Sequence, residues 1–331
     1  MVRTWERRAL LAVGALGGLT WLAPIARAQP APPWPTGPIR LVVPFPPGGS
    51  VDQIARLLQP RLSAELGVPV VVENRGGASG SVGTALVARA APDGATWLLV
   101  FDTHAANPAL IPDLPYDTRR DLAPVMLIGT APMGLYATPS RPWRSFADLL
   151  AEARARPEAI TYATIGNGSL AHLTFTLAQN AGGFRLVHVP YRGGGPALAD
   201  ALAGQVDLLA TTFALAAQHI RAGTLRPLVQ TGRERSPALP DTPTLAEAGV
   251  PGVEAEAFWG ALAPARTPGP ALARFHAALT AALAAPEVRR QLEEGQAIRV
   301  VASSPEGFAA FLERQYDTWG RVVRDNGIRP D

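Results

Sequence analysis

The residues of this chain best suited to chemistry lie in four glycine-rich turns. They are Pro46-Pro47-Gly48-Gly49-Ser50-Val51-Asp52, Asn74-Arg75-Gly76-Gly77-Ala78-Ser79-Gly80, Thr164-Ile165-Gly166-Asn167-Gly168-Ser169 and Arg192-Gly193-Gly194-Gly195. Each follows a short β-rich run and opens a helical pattern. Unpaired backbone N–H groups and the positive end of the helix dipole meet at such a junction, which suits an anion. A single turn of this kind needs no ligand to explain it, because glycine serves any tight turn. Four of them, at the carboxyl ends of strands where open α/β sheets bind ligands, point to two anion-holding rims facing each other across a cleft.

Other chemistries find few residues to work with. There is no Cys, and all 30 Lys plus Arg residues are Arg, which removes thiolate sites, Schiff bases and the phosphate-loop lysine. A hydrolase elbow needs glycine two residues after its serine, and Ala171 stands there after Ser169. Ser169 therefore reads as a helix N-cap. The competing reading is an exported esterase or transferase that uses Ser169 or Ser50 with His172. His104, His172, His188, His219 and His276 are scattered without metal-ligand spacing, so neither a metal nor a cofactor is expected. His172 lies one turn into its helix, where packing accounts for it as well as a ligand does. Asp52 sits in the first turn of its own helix, where the dipole favours a carboxylate. Its alternative role is to accept a hydrogen bond from a ligand's amine or hydroxyl.

The elements that must hold these turns follow from periodicity. Residues 39–44, 68–73, 96–101, 160–163 and 187–191 read as strands. Val51, Ile54, Leu58, Leu62 and Leu66 fall on one helical face, with Ser50 and Gln53 as a capping box and a kink expected at Pro60. Further helices are expected at 82–89, at about 170–180, and after Gly195 with Pro196 as its first residue. Strands alternating with helices argue an α/β architecture with mostly parallel sheets. The apolar stretches 125–136 and 225–231 are expected to cross between two lobes. One lobe would span 134–230; the other, discontinuous, would comprise 34–133 and 231–331.

Arg3, Arg7 and Arg8, an apolar run from Ala9 to Leu22, and the small residues Ala26 and Ala28 have the order of a signal peptide over residues 1–28. Its removal leaves 26 Arg against 26 Asp plus Glu, so nothing electrostatic favours nucleic acid.

The chain resembles the Bug family, the periplasmic receptors of tripartite tricarboxylate transporters. The resemblance runs from about Trp34 to the C-terminus. It rests on Pro44 to Asp52, Val72-Glu73-Asn74-Arg75, Tyr162 through Gly168-Ser169 to His172-Leu173, Val189-Pro190-Tyr191-Arg192-Gly193-Gly194 and Gly204-Gln205-Val206-Asp207. Leu239 to Gly249 and Trp259-Gly260 complete the series. It implies a type II periplasmic binding-protein fold, and a small carboxylate held largely by backbone amides and ordered water. Cognate membrane permease subunits are the implied partners, and a monomer is expected. The ligand residues it implies are Phe45, Gly48, Gly49, Ser50, Asp52, Asn74, Gly77, Ser79 and Thr103 from one lobe. Thr164, Gly168, Ser169, His172, Tyr191 and Asp207 come from the other. Val51, Gly76, Thr164 and Phe175 depart from the family's usual residues, which bears on the ligand's identity. Arg75 and Arg192 could instead pair with a carboxylate. If the main chain makes the cradle, Gly49→Val and Gly168→Val should each abolish binding.

Overall fold

The computed structural model describes residues 34–138 and 140–330; the expected signal peptide lies outside them. The chain runs β1 (Ile39–Val43), α1 (Ser50–Leu66), β2 (Val70–Asn74), α2 (Ser81–Ala88), β3 (Thr96–Val100) and α3 (Thr103–Leu110). A long strand, β4 (Leu122–Ala137), follows, then α4 (Phe146–Ala155), β5 (Thr161–Thr164), α5 (Leu170–Gly182), β6 (Val187–Pro190) and α6 (Gly194–Leu202). Next come β7 (Leu208–Thr212), α7 (Phe213–Arg221), β8 (Arg226–Gln230), β9 (Glu256–Pro264) and α8 (Gly269–Ala284). The described chain closes with α9 (Pro286–Arg290), β10 (Arg299–Val300) and α10 (Pro305–Asp325).

Two groups of parallel strands are joined by antiparallel ones. β2, β1 and β3 run parallel, as do β6, β5 and β7. β9 pairs antiparallel with β3 on one side and with β4 on the other. β4 then carries its last residues, Met133–Ala137, onto β7 and β8. This one strand spans both groups, and its register shifts between Pro124 and Met126 and between Leu127 and Gly129. Such bulges bend a strand, and this one is shared by both strand groups.

Burial of aromatic rings fixes the first group of strands against its helices. Trp97 is fully buried and stacks on Phe275 of α8, with ring centroids 3.8 Å apart. Phe101, just past β3, packs between Phe45 and Trp259 of β9. Gly260 leaves room for Phe308 of α10, since a methyl group there would lie 2.2 Å from the ring.

The local signals hold with two differences. α1 is capped at Gly49, and the expected Ser50–Gln53 box does not form; the Gln53 amide reaches back to the Gly48 carbonyl at 3.2 Å. Pro60 lies inside the same helix, as expected. Pro196 is the third residue of α6, not the first, because Gly194 and Gly195 already belong to the helix.

Candidate functional site

All of the glycine-rich turns lie at carboxyl ends of the parallel strands. In the first, Gly48 has φ +85°, and its N–H donates to Asp52 Oδ2 at 3.0 Å. Asp52 also accepts from Arg56 Nε at 2.9 Å and from Asn74 Nδ2 at 2.9 Å. Burial pushes its carboxyl pKa up, but the hydrogen bonds from Arg56, Gly48 and Asn74 outweigh that and hold it below the usual range. Asn74 donates as well to the Phe45 carbonyl at 3.1 Å. Asp52 and Asn74 therefore clamp the Pro44–Gly49 turn, and their polar atoms are spent on the chain itself. Ser50 is nearly buried in the first turn of α1.

The second turn contributes Gly77, at φ +133°, and Ser79, held in the left-handed region at φ +53°. Thr103 opens α3 and is buried. The Asn107 side chain secures the Ser79 carbonyl at 3.0 Å.

On the opposite rim, Thr164 is buried and its hydroxyl meets His188 Nε2 at 2.7 Å and the Gly166 carbonyl at 3.1 Å. Ser169 caps α5, as expected, with its hydroxyl accepting the His172 N–H at 3.4 Å. His172 Nδ1 accepts the Gly168 N–H at 3.2 Å, and its ring stacks on His188 at 3.8 Å. The acceptor role fixes His172 as the neutral tautomer with its proton on Nε2. Burial lowers the pKa of both rings, His172 to about 4 and His188, further repelled by His172, to about 3. A serine whose hydroxyl accepts from its own helix, beside an imidazole turned to a backbone amide, is not arranged as a nucleophile and base.

The two rims touch. Ser79 Oγ donates to the Asn167 carbonyl at 3.2 Å. A side-chain carbon on Gly168 would lie 2.3 Å from Leu110 Cδ2, and one on Gly193 would lie 3.1 Å from Pro46 Cδ. Phe45, Gly48, Gly49, Ser50, Gly77, Ser79, Thr103, Thr164, Gly168, Ser169 and His172 are thus brought to one edge, with Asp52 and Asn74 as its supports. Tyr191 is there through its backbone, its N–H bonding the Thr164 carbonyl at 3.0 Å, while its hydroxyl turns to Asp200 at 2.8 Å.

Asp207 does not join them. It precedes β7, at the amino end of the sheet, where it accepts from Thr161 N and Oγ1 at 2.7 and 2.8 Å and pairs with Arg141 at 2.9 Å. An ion pair that fastens two strand starts explains it, and it lies at the opposite end of β5 from Thr164.

The rims also contain groups that spacing alone did not single out. Asp102, between β3 and α3, is 3% exposed, and burial pushes its carboxyl up to about 8 against the pull of the Leu170 and Thr103 N–H groups. His188 backs His172, and Thr212 ends β7 with a buried hydroxyl that lacks a partner among the described residues. The one available signal was positional: Asp102 directly follows a hydrophobic strand run, and Thr212 ends one.

Two α/β strand groups linked by β4 and β9, with anion-favouring turns facing one another, define a solute receptor. The model of the tripartite tricarboxylate transporter family receptor matches residues 54–328. BugT of Bordetella pertussis is 36% identical over 322 residues, which is 97% of this chain and 98% of that protein. A solved structure of a periplasmic transporter is 38% identical, with a TM-score of 0.86 over 89% of this chain and 99% of its own. Rpa4515 of R. palustris, solved with adipate, is 34% identical with a TM-score of 0.86, covering 90% of this chain and 100% of that one. The chain belongs to the tripartite tricarboxylate transporter family of receptors, which are periplasmic solute-binding proteins and not enzymes.

Proposed function

We propose that this receptor captures a small carboxylate between its two rims and hands it to membrane permease subunits. The observation that carries the reading is the convergence of positive-φ glycine turns and helix amino ends, with the turns around Pro46 and Gly193 abutting. Helix amino ends gathered at one edge favour an anion there. A relative solved with adipate supports the carboxylate class. In the same reading, residues 34–133 and 231–331 form one lobe and 134–230 the other. Strand β4 and the 225–231 stretch are the crossings, and ligand capture draws the lobes together. The leader 1–28 is removed on export, so that the mature chain starts near Gln29; mass spectrometry finding Met1 on the exported protein would refute this.

A thermal-shift screen against a panel of mono-, di- and tricarboxylates tests the ligand class. At a ligand concentration about 100 times the dissociation constant, the cognate acid should stabilise the receptor by roughly 2.7 kcal/mol. If no carboxylate raises the melting temperature while neutral or cationic solutes do, the reading is wrong.

A further inference from the structure

A cavity of about 770 Å³ lies apart from the glycine turns and shares no residue with them. It is found where β4 passes from β9 to β7, and Thr130 and Pro132 of that strand line it. One wall comes from residues 233–238, which follow β8, and another from residues 293–299, which lead into β10. Its volume is that of a small-molecule site.

Most of the polar groups around it are spent on holding the walls. Arg221 of α7 donates to the Glu294 and Gly295 carbonyls, at 3.2 Å each. Arg299 donates to Thr130 Oγ1 at 2.9 Å and to Glu256 at 3.0 Å. Arg235 is taken by the Pro240 carbonyl at 2.9 Å and by Glu247 at 2.8 Å, and Glu293 by Arg289 at 2.9 Å. The second wall also contains backbone that costs stability: Gln291–Gly295 forms a π-turn, and buried Ala297 is held at φ +55°. Both features gather at functional sites.

Three charged side chains on the cavity are left over. Arg233, Glu234 and Glu294 have no hydrogen-bond or ion-pair partner for their side chains among the described residues. Pro132, Ala238, Ala297 and Ile298 supply the apolar part of the lining. We propose that this cavity is a second binding site, for a zwitterionic amino acid with an apolar side chain. The ligand's carboxylate pairs with the Arg233 guanidinium, its ammonium meets the Glu234 and Glu294 carboxylates, and its side chain covers the apolar lining. A ligand with only a carboxylate would face two free carboxylates, and one with only an amine would leave Arg233 unpaired beside it, so both signs are needed for selection.

NMR titration of the nitrogen-labelled receptor with leucine tests this. Leucine should shift the amide signals of residues 233–238 and 294–299 saturably. Isopentylamine, which lacks the carboxylate, and isocaproate, which lacks the amine, should each bind there about tenfold more weakly. Arg233→Ala and Glu294→Gln, both at exposed positions, should each weaken leucine at these signals by about tenfold. Leucine shifts confined to the glycine turns, or none at all, overturn the proposal. So does either analogue binding the cavity as tightly as leucine, and so does an unchanged leucine affinity in both variants. The carboxylate reading of the cleft stands or falls separately, because an acid captured between the rims shifts the signals of residues 48–52 and 164–169 instead.

Discussion

Gly168→Val is expected to abolish ligand binding, whereas Gly49→Val should leave it measurable. From the sequence both glycines looked equally necessary, and the backbone separates them. Gly168 has φ +67°, and its side-chain carbon would lie 2.3 Å from Leu110 Cδ2. Gly49 has φ −75°, an ordinary value, and the nearest atom to its would-be side chain is the Pro46 carbonyl oxygen at 3.8 Å. At position 168 a β-carbon in left-handed backbone costs about 1–2 kcal/mol, and overpacking against a buried leucine adds about 1–3 kcal/mol. Together that is a factor of roughly thirty to several thousand.

The cost should appear as lost affinity before lost fold, because Leu110 and Gly168 lie on opposite rims. Parting the rims relieves the clash, and parted rims cannot hold the ligand. Leu110→Ala placed in the Gly168→Val background should recover part of the affinity by removing the steric half of the penalty, which a double-mutant cycle would measure. Arg75 and Arg192 provide the contrast. Arg75 is more than half exposed and already paired with Glu73, and Arg192 is exposed, so replacing either by alanine should cost little. Wild-type affinity in Gly168→Val, or complete loss in either arginine variant, would show that the main chain does not form the cradle.

How much of this was readable from the sequence follows from how local each signal is. The strand at residues 39–44, the apolar face of α1 and the Ser169 cap were legible because they depend on neighbours a few residues away. The parallel strand groups followed from the alternation of those elements. β9 was noticed only as a Trp-Gly motif, since its role comes from pairing with β3 and β4, more than a hundred residues earlier in the chain. Asp207 sits in a family motif and was grouped with the ligand residues. Its real partners, Thr161 and Arg141, follow from strand order, which no local pattern encodes. Asp102 carries no local signal, because one Asp after a strand resembles any helix start. Its burial comes from packing that no local pattern encodes.

The receptor's stability is expected to peak near neutral pH and to fall steeply in mild acid. Burial holds His104 and His172 down to about 4, and burial with repulsion from His172 holds His188 down to about 3. A base lowered in this way stays neutral in the folded chain while the unfolded chain takes up a proton below about 6.5. Its contribution is complete above that pH and is lost as the pH falls toward 4. Asp102, raised by burial to about 8, has the opposite sign. Folded, it keeps its proton, while the unfolded carboxyl has lost its own above about 3.9, so its contribution is lost as the pH rises toward 8. Between about 6.5 and 4.5 three protons bound on unfolding oppose one released. The net effect is a loss of stability toward acid, on the order of a few kcal/mol across the interval. Above about 6.5 only Asp102 acts, and it costs roughly 2 kcal/mol by pH 8. Urea-unfolding midpoints taken across this range measure both limbs. Asp102→Asn should flatten the alkaline limb, and His188→Asn should make the acid limb shallower by about one proton. Stability that stays level from pH 7 down to 5 would mean that these imidazoles are not held neutral by burial, and that the His172–Gly168 hydrogen bond does not depend on an unprotonated ring.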